Sequence, residues 1–590
     1  MKPANWSRYL IISGICLLVI VGIIVQMVRI QNLPGSEIIL AQSESLSGTT
    51  QIIYPDRGKI YDRWGHLLAG DETTYEIGID LNQVSDPETI ATVCASVLGL
   101  DYSTVLGYAR TKAGDNGQYY IVLDNFVDSE KVEQLSILQT QYAEMPVKRH
   151  VVNPSLSGLM WSPYTKRSYP EGSLASNVIG FYGFLDRIDG RGFFGVEETY
   201  NDLLAGTPQT VYVAYDPQRV KANMDLPEGA SLVLTIDREI QSMAENTLEE
   251  AIDWSGAEAG TILVYNPEDG SLLAMATTPR LDPNEYWNYG EVFPNPTPFN
   301  RAISKSYEPG SVFKVITLAA ALDAGAVTPE TTFYDPGYIE VGGYYINNWD
   351  GSAWGTQDMT GCMQHSLNVC LSWIAQQLGA DQFYEYVRAF GFDRNTGIDL
   401  SGEIHWPIRV PGDEQWYEVD LATNSFGQGI AVTPLQMVMA VGALANEGKM
   451  MLPHVVKSMV IDGHQYEINP VVVGTPIKAE TASTITELLA NSLENESSNA
   501  LVEGYRVAGK TGTAEIPTQY GYSSSQTHTS FVGWGPVDDP KFLVYVWLEK
   551  PEISIWGSEV AAPVFQDVVE KLVVLLGLPP DSVRRELVAE

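Results

Sequence analysis

The chain has 590 residues, of which 45% are hydrophobic and 18% charged, so it is too long for one ordinary domain and too apolar for a disordered protein. Its 35 Lys+Arg against 73 Asp+Glu give a formal net charge of −38, a field that repels phosphate backbones. We therefore expect two or three folded domains with a solvated acidic surface, and no nucleic-acid partner.

The first element is an apolar segment near the N-terminus. Residues 9–28 carry no charged side chain and have the length needed to cross a bilayer. Lys2 and Arg8 precede the segment, which favours a cytoplasmic N-terminus with the rest of the chain outside the cytoplasm. A cleaved signal peptide is the alternative, but the apolar run is longer than a signal core and no small-x-small site follows closely. We predict a single-pass anchor in the cell membrane, with a cytoplasmic tail at 1–8 and a stalk at 29–50.

The next region, 51–225, has short strand-like runs that alternate with turns. Residues 75–81 and 211–215 alternate apolar with polar or small side chains, and residues 88–100 show helical periodicity. No cluster of catalytic residue types stands out here. We predict a mostly β, non-catalytic domain.

The character of the sequence changes at about residue 230. Residues 231–237 are typical of a strand, a helix follows, and residues 260–276 form two apolar runs joined by a turn that begins at Asn266-Pro267. Helical stretches follow at 366–379 and 433–448. After them come two strands, at 529–535 and 541–550, and a last helix at 562–577. Strands, then helices, then strands predict an α+β domain at 230–575, with an antiparallel sheet and a helical half, followed by a tail at 576–590.

The four cysteines are too few for a disulfide scaffold. Cys16 lies in the apolar segment. Cys362 and Cys370 are eight residues apart, and on one continuous helix their Cα atoms lie about 12 Å apart, too far to bridge. No C-x-x-C or H-E-x-x-H sequence is present, so we expect neither a metal nor a cofactor.

One buried-looking helix carries a lysine in its first turn. In YEPGSVFKVITLAAAL (307–322), Lys314 follows Ser311 by three residues, which places the amine on the same helical face as the hydroxyl. Apolar surroundings lower the pKa of a lysine, so Lys314 can serve as the base that activates Ser311. Taken alone the pattern is weak, since S-x-x-K arises by chance in a chain of this length and a lysine can also snorkel to water.

Two later motifs change this interpretation. Ser366 and Asn368 supply a hydroxyl and an amide at S-x-N spacing. A second S-x-N at 497–499 lies in a polar stretch without flanking apolar residues, and we do not consider it a candidate. Lys510-Thr511-Gly512-Thr513 then offers an ammonium and two hydroxyls for a carboxylate, around a glycine that lets a substrate strand approach.

In this order the three motifs resemble the penicillin-binding protein and serine β-lactamase superfamily. Further segments resemble class B penicillin-binding proteins in particular. Those that resemble the transpeptidase domain are 300–302, 307–311, 427–429, 433–436, 510–515 and 562–565. Those that resemble its pedestal domain are 57–69, 167–180 and 195–206. Asn177 departs from the histidine often found there, and we interpret it as structural. The resemblance implies an α+β transpeptidase domain on a mostly β, dimerisation-type pedestal at 51–225.

The resemblance implies a role for each motif residue. Ser311 attacks a D-Ala-D-Ala stem peptide of peptidoglycan and becomes an acyl-enzyme, with Lys314 as base. Ser366 relays the proton to the leaving D-Ala, and Asn368 orients Lys314 and the substrate. The substrate carboxylate is bound by Lys510, Thr511 and Thr513 beside Gly512, and the oxyanion hole is formed by the backbone N–H groups of Ser311 and Thr513.

The implied partners are stem peptides, β-lactam antibiotics and a membrane glycan polymerase of the SEDS type. Three alternatives stay open: a D,D-carboxypeptidase, a β-lactamase, and a non-catalytic activator of the polymerase. The anchor, the pedestal and the lack of an obvious E-x-x-L-N segment disfavour the lactamase, and the intact motifs disfavour the activator. The sequence leans weakly towards cell division over elongation.

Overall fold

A computed structural model of the chain describes residues 6–31, 48–53, 55–146, 153–184, 190–214, 228–496, 498–519 and 521–589. Predictions for the first five residues, for most of the stalk and for Ser497 lie outside the described residues. The chain divides into two compact units, Met1–Asp56 with Ala205–Glu228 and Arg57–Leu204 with Gly229–Glu590.

The first unit contains the apolar segment. The helix Trp6–Gln31 includes a stretch, Leu10–Arg29, that is long and apolar enough to span a membrane, which fits a membrane anchor. The strands Gly48–Ile53 and Gln209–Ala214 pair antiparallel in the same unit.

The N-terminal part of the second unit is built around one long strand. Leu67–Asp80 pairs antiparallel with Tyr120–Asp128 on one side and with Leu159–Ser168 on the other. A small core that includes Ile77 and Ile79 is formed by this sheet together with the helical segments between residues 87 and 143. Its remaining elements are, in chain order, Ile60–Tyr61, Pro87–Val93, Cys94–Leu98, Tyr102–Ala109, Asp115–Gly117, Ser129–Ala143, Ser176–Ile179, Phe181–Gly183, Arg191–Phe193, Gly195–Thr199 and Asn201–Ala205.

One sheet runs across the domain border that the sequence predicted. Ser231–Leu234 pairs in parallel with Ile60–Tyr61 and antiparallel with Val456–Ile461, which pairs with His464–Glu467. The N-terminal and C-terminal segments of the second unit therefore share seven strands. The predicted boundaries stay predictions.

The C-terminal part of the second unit is an α+β domain around a five-stranded antiparallel sheet. The strands lie in the order Leu272–Thr277, Ala259–Tyr265, Phe542–Glu549, Gly521–Gly535 and Ala508–Thr518. The helices Arg238–Ser255 and Ala561–Leu575 cover one face, where their apolar side chains pack with Val544 and Val546. The opposite face packs against Pro434–Ala445 in the helical half, where the larger core lies. The predicted fold class is confirmed.

The helical half surrounds the buried helix Lys314–Asp323. The remaining helices and 3₁₀ turns are Pro283–Asn288, Tyr289–Val292, Arg301–Ser304, Gly310–Phe313, Met359–Gln364, Asn368–Leu378, Ala380–Ala389, Glu418–Asn424, Ala479–Glu496 and Asp581–Ala589. Short strands complete it: Phe333–Asp335, Tyr338–Val341, Tyr344–Asn347, Gly355–Gln357, Met450–Met451 and Val472–Gly474.

Asn177 joins separate segments of the fold. Its side-chain amide donates to the carbonyls of Pro279, at 3.2 Å, and of Phe299, while its own carbonyl accepts from Asn300 Nδ2 at 3.0 Å. The side chain is buried. These contacts agree with the structural role inferred from the sequence.

A buried ionic network ties the N-terminal part of the second unit together. The Glu197 carboxylate accepts from Arg57 Nε and Arg167 Nε, each at 2.8 Å, and from the Tyr169 hydroxyl at 3.1 Å. Burial raises the pKa of Glu197, but the charges of Arg167 and Arg57 outweigh that effect and hold the pKa below its ordinary value. Because Arg57 and Arg167 are also buried, the carboxylate is needed to neutralise them.

We expect Glu197→Gln to lower the free energy of unfolding by about 3 kcal/mol, because it leaves two buried guanidinium groups undercompensated. Urea unfolding of the full-length chain in detergent measures the change. The matched control is Glu88→Gln, which breaks the exposed pair between Glu88 and Arg110 and should leave the free energy of unfolding nearly unchanged. Equal effects of the two substitutions would contradict a stabilising role for the network.

Candidate active site

The turn that carries Ser311 is fixed by two glycines. Gly310 has φ +59°, and its N–H donates to the carbonyl of Gly427 at 3.1 Å. Gly427 has φ +82°, and a Cβ there would lie 2.3 Å from the Gly310 carbonyl oxygen. Only glycine combines this conformation with this approach. The turn leads into the 3₁₀ segment Gly310–Phe313, so Ser311 lies just before the helix that Lys314 begins.

Lys314 is fully buried and surrounded by oxygen atoms. Its Nζ lies 2.6 Å from the Ser366 carbonyl oxygen, 3.1 Å from Ser366 Oγ and 2.8 Å from Asn368 Oδ1. Burial lowers the pKa of Lys314 well below its ordinary value, and the charge of Lys510 lowers it further. The two carbonyl oxygens accept hydrogen bonds from the amine, and the Ser366 hydroxyl lies within hydrogen-bond distance of it.

Ser366 and Asn368 lie where two helices meet. Met359–Gln364 ends, Ser366 adopts φ +50°, and Asn368 is the first residue of Asn368–Leu378. The positive φ turns the chain so that both the carbonyl and the hydroxyl of Ser366 face Lys314. The Asn368 amide also donates through Nδ2 to the carbonyl of Asn347 at 3.2 Å.

The prediction that Cys362 and Cys370 cannot bridge is wrong. They form a disulfide with a Cα–Cα separation of 6.0 Å. The prediction assumed one continuous helix, but the helix is interrupted between Gln364 and Asn368, and the reversal at Ser366 brings the two cysteines together. The disulfide therefore closes a covalent ring around the S-x-N motif.

We expect loss of this disulfide to slow acylation roughly tenfold, because a displacement of about 1 Å in a catalytic group can cost up to 10²-fold in rate. The measurement is the second-order rate constant for labelling by a fluorescent penicillin, with wild type compared with Cys362→Ala/Cys370→Ala. Reduction of the wild type should reproduce the loss, and reduction should leave the double variant unchanged. Cys94→Ala, which removes a buried free thiol, is the control for effects of cysteine removal.

The lysine, threonine and glycine motif lies on the edge strand of the five-stranded sheet. In Ala508–Thr518, Lys510 pairs with Val532 and Gly512 with Ser530, and among the described residues no strand pairs with the other edge. An extended peptide can add to such an edge through main-chain hydrogen bonds. Lys510 Nζ is held by the Thr511 hydroxyl at 3.1 Å, and burial lowers the pKa of Lys510 to about 8, while the charge of Glu496 partly opposes the shift.

The packing gives a reason for Gly512 that differs from the expected substrate approach. A Cβ at this position would lie 2.2 Å from Ser530 Oγ and 2.9 Å from Val312 Cγ1. The glycine thus lets the edge strand close onto the segment that carries Ser311. Gly557 acts similarly from outside the motifs, since its N–H donates to Thr513 Oγ1 at 3.1 Å and a Cβ there would lie 2.2 Å from the Gly512 carbonyl oxygen.

The structure thus brings the three motifs together. Lys314 contacts Ser366 and Asn368 directly, and the edge strand packs on the turn of Ser311 through Gly512. Sequence reasoning missed the disulfide, the contribution of Asn347 and the place of Gly557. The placement of one cysteine on each side of the S-x-N motif was the available signal for the disulfide. In the part of the chain that the structure describes, no group of three or more His, Cys, Asp and Glu side chains could hold a metal ion.

Comparisons with known proteins agree with this fold. The model of the penicillin-binding protein transpeptidase domain matches residues 260–570, and that of the penicillin-binding protein dimerisation domain matches residues 52–225. The chain is 31% identical to Stage V sporulation protein D of Bacillus subtilis, over 89% of this chain and 79% of that protein. It is 31% identical to the probable peptidoglycan D,D-transpeptidase PbpC of Pseudomonas aeruginosa, over 71% and 72%.

The crystal structure of penicillin-binding protein 2X from Streptococcus thermophilus superimposes with a TM-score of 0.75 at 25% identity, covering 89% of this chain and 80% of that one. Fold and family model together define a serine acyltransferase. The chain belongs to the class B penicillin-binding proteins.

Proposed function

We propose that the chain is a peptidoglycan D,D-transpeptidase that works through an acyl-enzyme on Ser311. The observation that carries the proposal is the buried Lys314 amine, which is held by Ser366 and Asn368 one helical turn after the serine. A lysine kept neutral by burial can take the proton of a neighbouring hydroxyl near neutral pH.

In the first half-reaction, Lys314 Nζ takes the proton of Ser311 as its Oγ bonds to the carbonyl carbon of the penultimate D-Ala. The oxyanion is stabilised by the backbone N–H groups of Ser311 and Thr513, donors aimed at charge that develops in the transition state. The C–N bond to the terminal D-Ala then breaks, and Ser366 relays the proton to the leaving amine. In the second half-reaction, the amine of a neighbouring stem peptide attacks the ester, forming the cross-link and restoring the serine.

Substrate binding is assigned to the edge strand. The donor peptide adds to Ala508–Thr518 in extended form, and its terminal carboxylate is bound by Lys510, Thr511 and Thr513. β-Lactams, which carry a comparable carboxylate beside a reactive amide, acylate the same serine. Asn368 orients the substrate amide while it holds Lys314.

The apolar helix anchors the enzyme in the cell membrane, with the N-terminus in the cytoplasm and the catalytic domain outside it. We further propose that a SEDS-type glycan polymerase supplies the strands that the enzyme cross-links, with a lean towards cell division. Depletion of the protein tests that lean, since filamentous cells support division and rounded cells contradict it.

The full-length protein in detergent tests the reaction when incubated with a stem pentapeptide donor and an amine acceptor. We expect release of D-Ala together with a cross-linked dimer, both detected by mass spectrometry. Release without the dimer would favour a carboxypeptidase, and rapid turnover of labelled penicillin would favour a β-lactamase. Unchanged cross-linking in cells that carry only Ser311→Ala would favour a non-catalytic activator.

A further inference from the structure

A small aromatic hairpin stands beside the S-x-N motif. The aromatic hairpin comprises residues 338–347, in which the strand Tyr338–Val341 pairs antiparallel with Tyr344–Asn347. Paired residues share a face in such a ladder, so Tyr338 and Asn347 lie on the same side as Glu340 and Tyr345.

The two faces of the hairpin have different surroundings. On the face directed to the fold, Val341 is buried and Ile339 and Ile346 are half-buried, while Tyr344, which pairs with Val341, is 63% exposed. The hairpin packs on the helices Asn368–Leu378 and Glu418–Asn424. On the outer face, Tyr338 is 52% exposed and Tyr345 is 64% exposed. Their rings lie 5.7 Å apart at 69°, so one ring presents its face beside the edge of the other.

The hairpin is hydrogen-bonded to the S-x-N motif and its neighbours. The Asn347 carbonyl accepts from Asn368 Nδ2 at 3.2 Å, and the Asn348 side chain accepts from the backbone of Val369 at 3.2 Å. Two residues beyond Asn347, the Trp349 indole donates to the carbonyl of His365 at 3.0 Å and remains 51% exposed. The hairpin is thus fastened to the segment that holds Lys314.

The size and chemistry of the face limit what can occupy it. Four residues of two paired strands make a surface of about 14 Å by 10 Å, far below the roughly 800 Å² per partner of a stable protein interface. The four residues of the face are two tyrosines, Asn347 and Glu340, so one of the four carries a charge. The C–H groups of a pyranose ring suit the electron-rich face of an aromatic ring, and hydroxyl and N-acetyl groups suit Asn347 and the phenols.

We propose that the outer face of the aromatic hairpin binds the N-acetylated glycan chain of the peptidoglycan strand whose stem peptide occupies the cleft. This rests on the proposed function. A stem of five residues spans at most about 17 Å, and the hairpin is hydrogen-bonded to Asn368, whose side chain accepts from Lys314. A sugar chain without charged groups also fits this face, because only one of its four residues, Glu340, is charged. The site thereby selects polymeric substrate over free peptide.

The test compares wild type with Tyr338→Ala/Tyr345→Ala in the full-length protein. The probes are the tetramer of β-1,4-linked N-acetylglucosamine and purified glycan strands from which an amidase has removed the peptides. We expect the double variant to bind either probe at least about tenfold more weakly, the effect of losing two aromatic contacts. Tyr102→Ala/Tyr108→Ala, which removes two exposed tyrosines from the helix Tyr102–Ala109, is the matched control and should bind normally.

Binding of both probes with wild-type affinity by the double variant overturns the proposal, and so does an absence of glycan binding by the wild type. A change of oligomeric state in the double variant together with unaltered glycan binding would show that the face contacts a second copy instead. Acylation by penicillin is measured in parallel. It should be equal in all variants, and its absence in wild type would contradict the proposed function, while the glycan titration still decides on the hairpin.

Discussion

Replacement of Ser311 with alanine should abolish covalent labelling by penicillin and lower transpeptidation by at least about 10⁴-fold, as removal of a serine nucleophile does in other acyl-transfer enzymes. The residue lies on the turn that Gly310 and Gly427 fix, where the edge strand packs through Gly512. The measurement is the rate of adduct formation with fluorescent penicillin, and a digest should place the wild-type adduct in the peptide that contains Ser311.

The control is Ser304→Ala, which removes a nearby hydroxyl that donates to the carbonyl of Gly402 outside the motif cluster. It should label at the wild-type rate. An adduct on Ser311→Ala at an undiminished rate, or a wild-type adduct on another residue, would disprove the assignment of the nucleophile.

Replacement of Lys314 with methionine should lower the acylation rate constant by about 10³-fold or more, because the proposed general base is removed while the shape of the buried side chain is nearly kept. In wild type, burial and the charge of Lys510 lower the pKa of Lys314, so the amine is neutral and active above that lowered pKa. Acylation should therefore fall as the pH decreases through it. Titration of Lys314 with the pKa of a free lysine would contradict its role as the base.

The alkaline limb of the same profile should come from Lys510. Its pKa of about 8 means that the ammonium proposed to bind the carboxylate is lost as the pH rises through this value, which should weaken substrate binding. The rate constant for acylation of the free enzyme by penicillin should then be bell-shaped in pH. Lys510→Arg, which keeps its charge over the whole range, should abolish the alkaline decline; persistence of the decline would assign it to another group.

The sequence predicted the architecture well where periodicity was long and uninterrupted. The hairpin Ala259–Tyr265 with Leu272–Thr277 and the helices Arg238–Ser255 and Pro434–Ala445 match the predicted elements. The pairing of Ser231–Leu234 with Ile60–Tyr61 could not be predicted from the sequence, because a two-residue strand has no periodicity and its partner lies far along the chain.

The candidate site could be proposed from the sequence as a set of residues but not as an arrangement. Motif spacing predicted Ser311, Lys314 and Asn368 as candidate site residues, since the chemistry of an activated serine requires those residue types. The disulfide was missed because it depends on a positive φ at Ser366. Hydrophobic periodicity does not reveal such a conformation at a non-glycine residue. The steric need for Gly512 depends on Ser530 and Val312, which only tertiary packing brings to it.

The shared seven-stranded sheet has a consequence for biogenesis. Ser231–Leu234 needs Val456–Ile461 as its outer neighbour, and that strand is synthesised about 220 residues later. At about 5–20 residues per second, the inner strand waits roughly 10 to 45 s with an open edge. An unpaired strand edge can pair with other chains, so the nascent polypeptide is prone to aggregation during this interval. The interval ends only when the last part of the sheet has emerged.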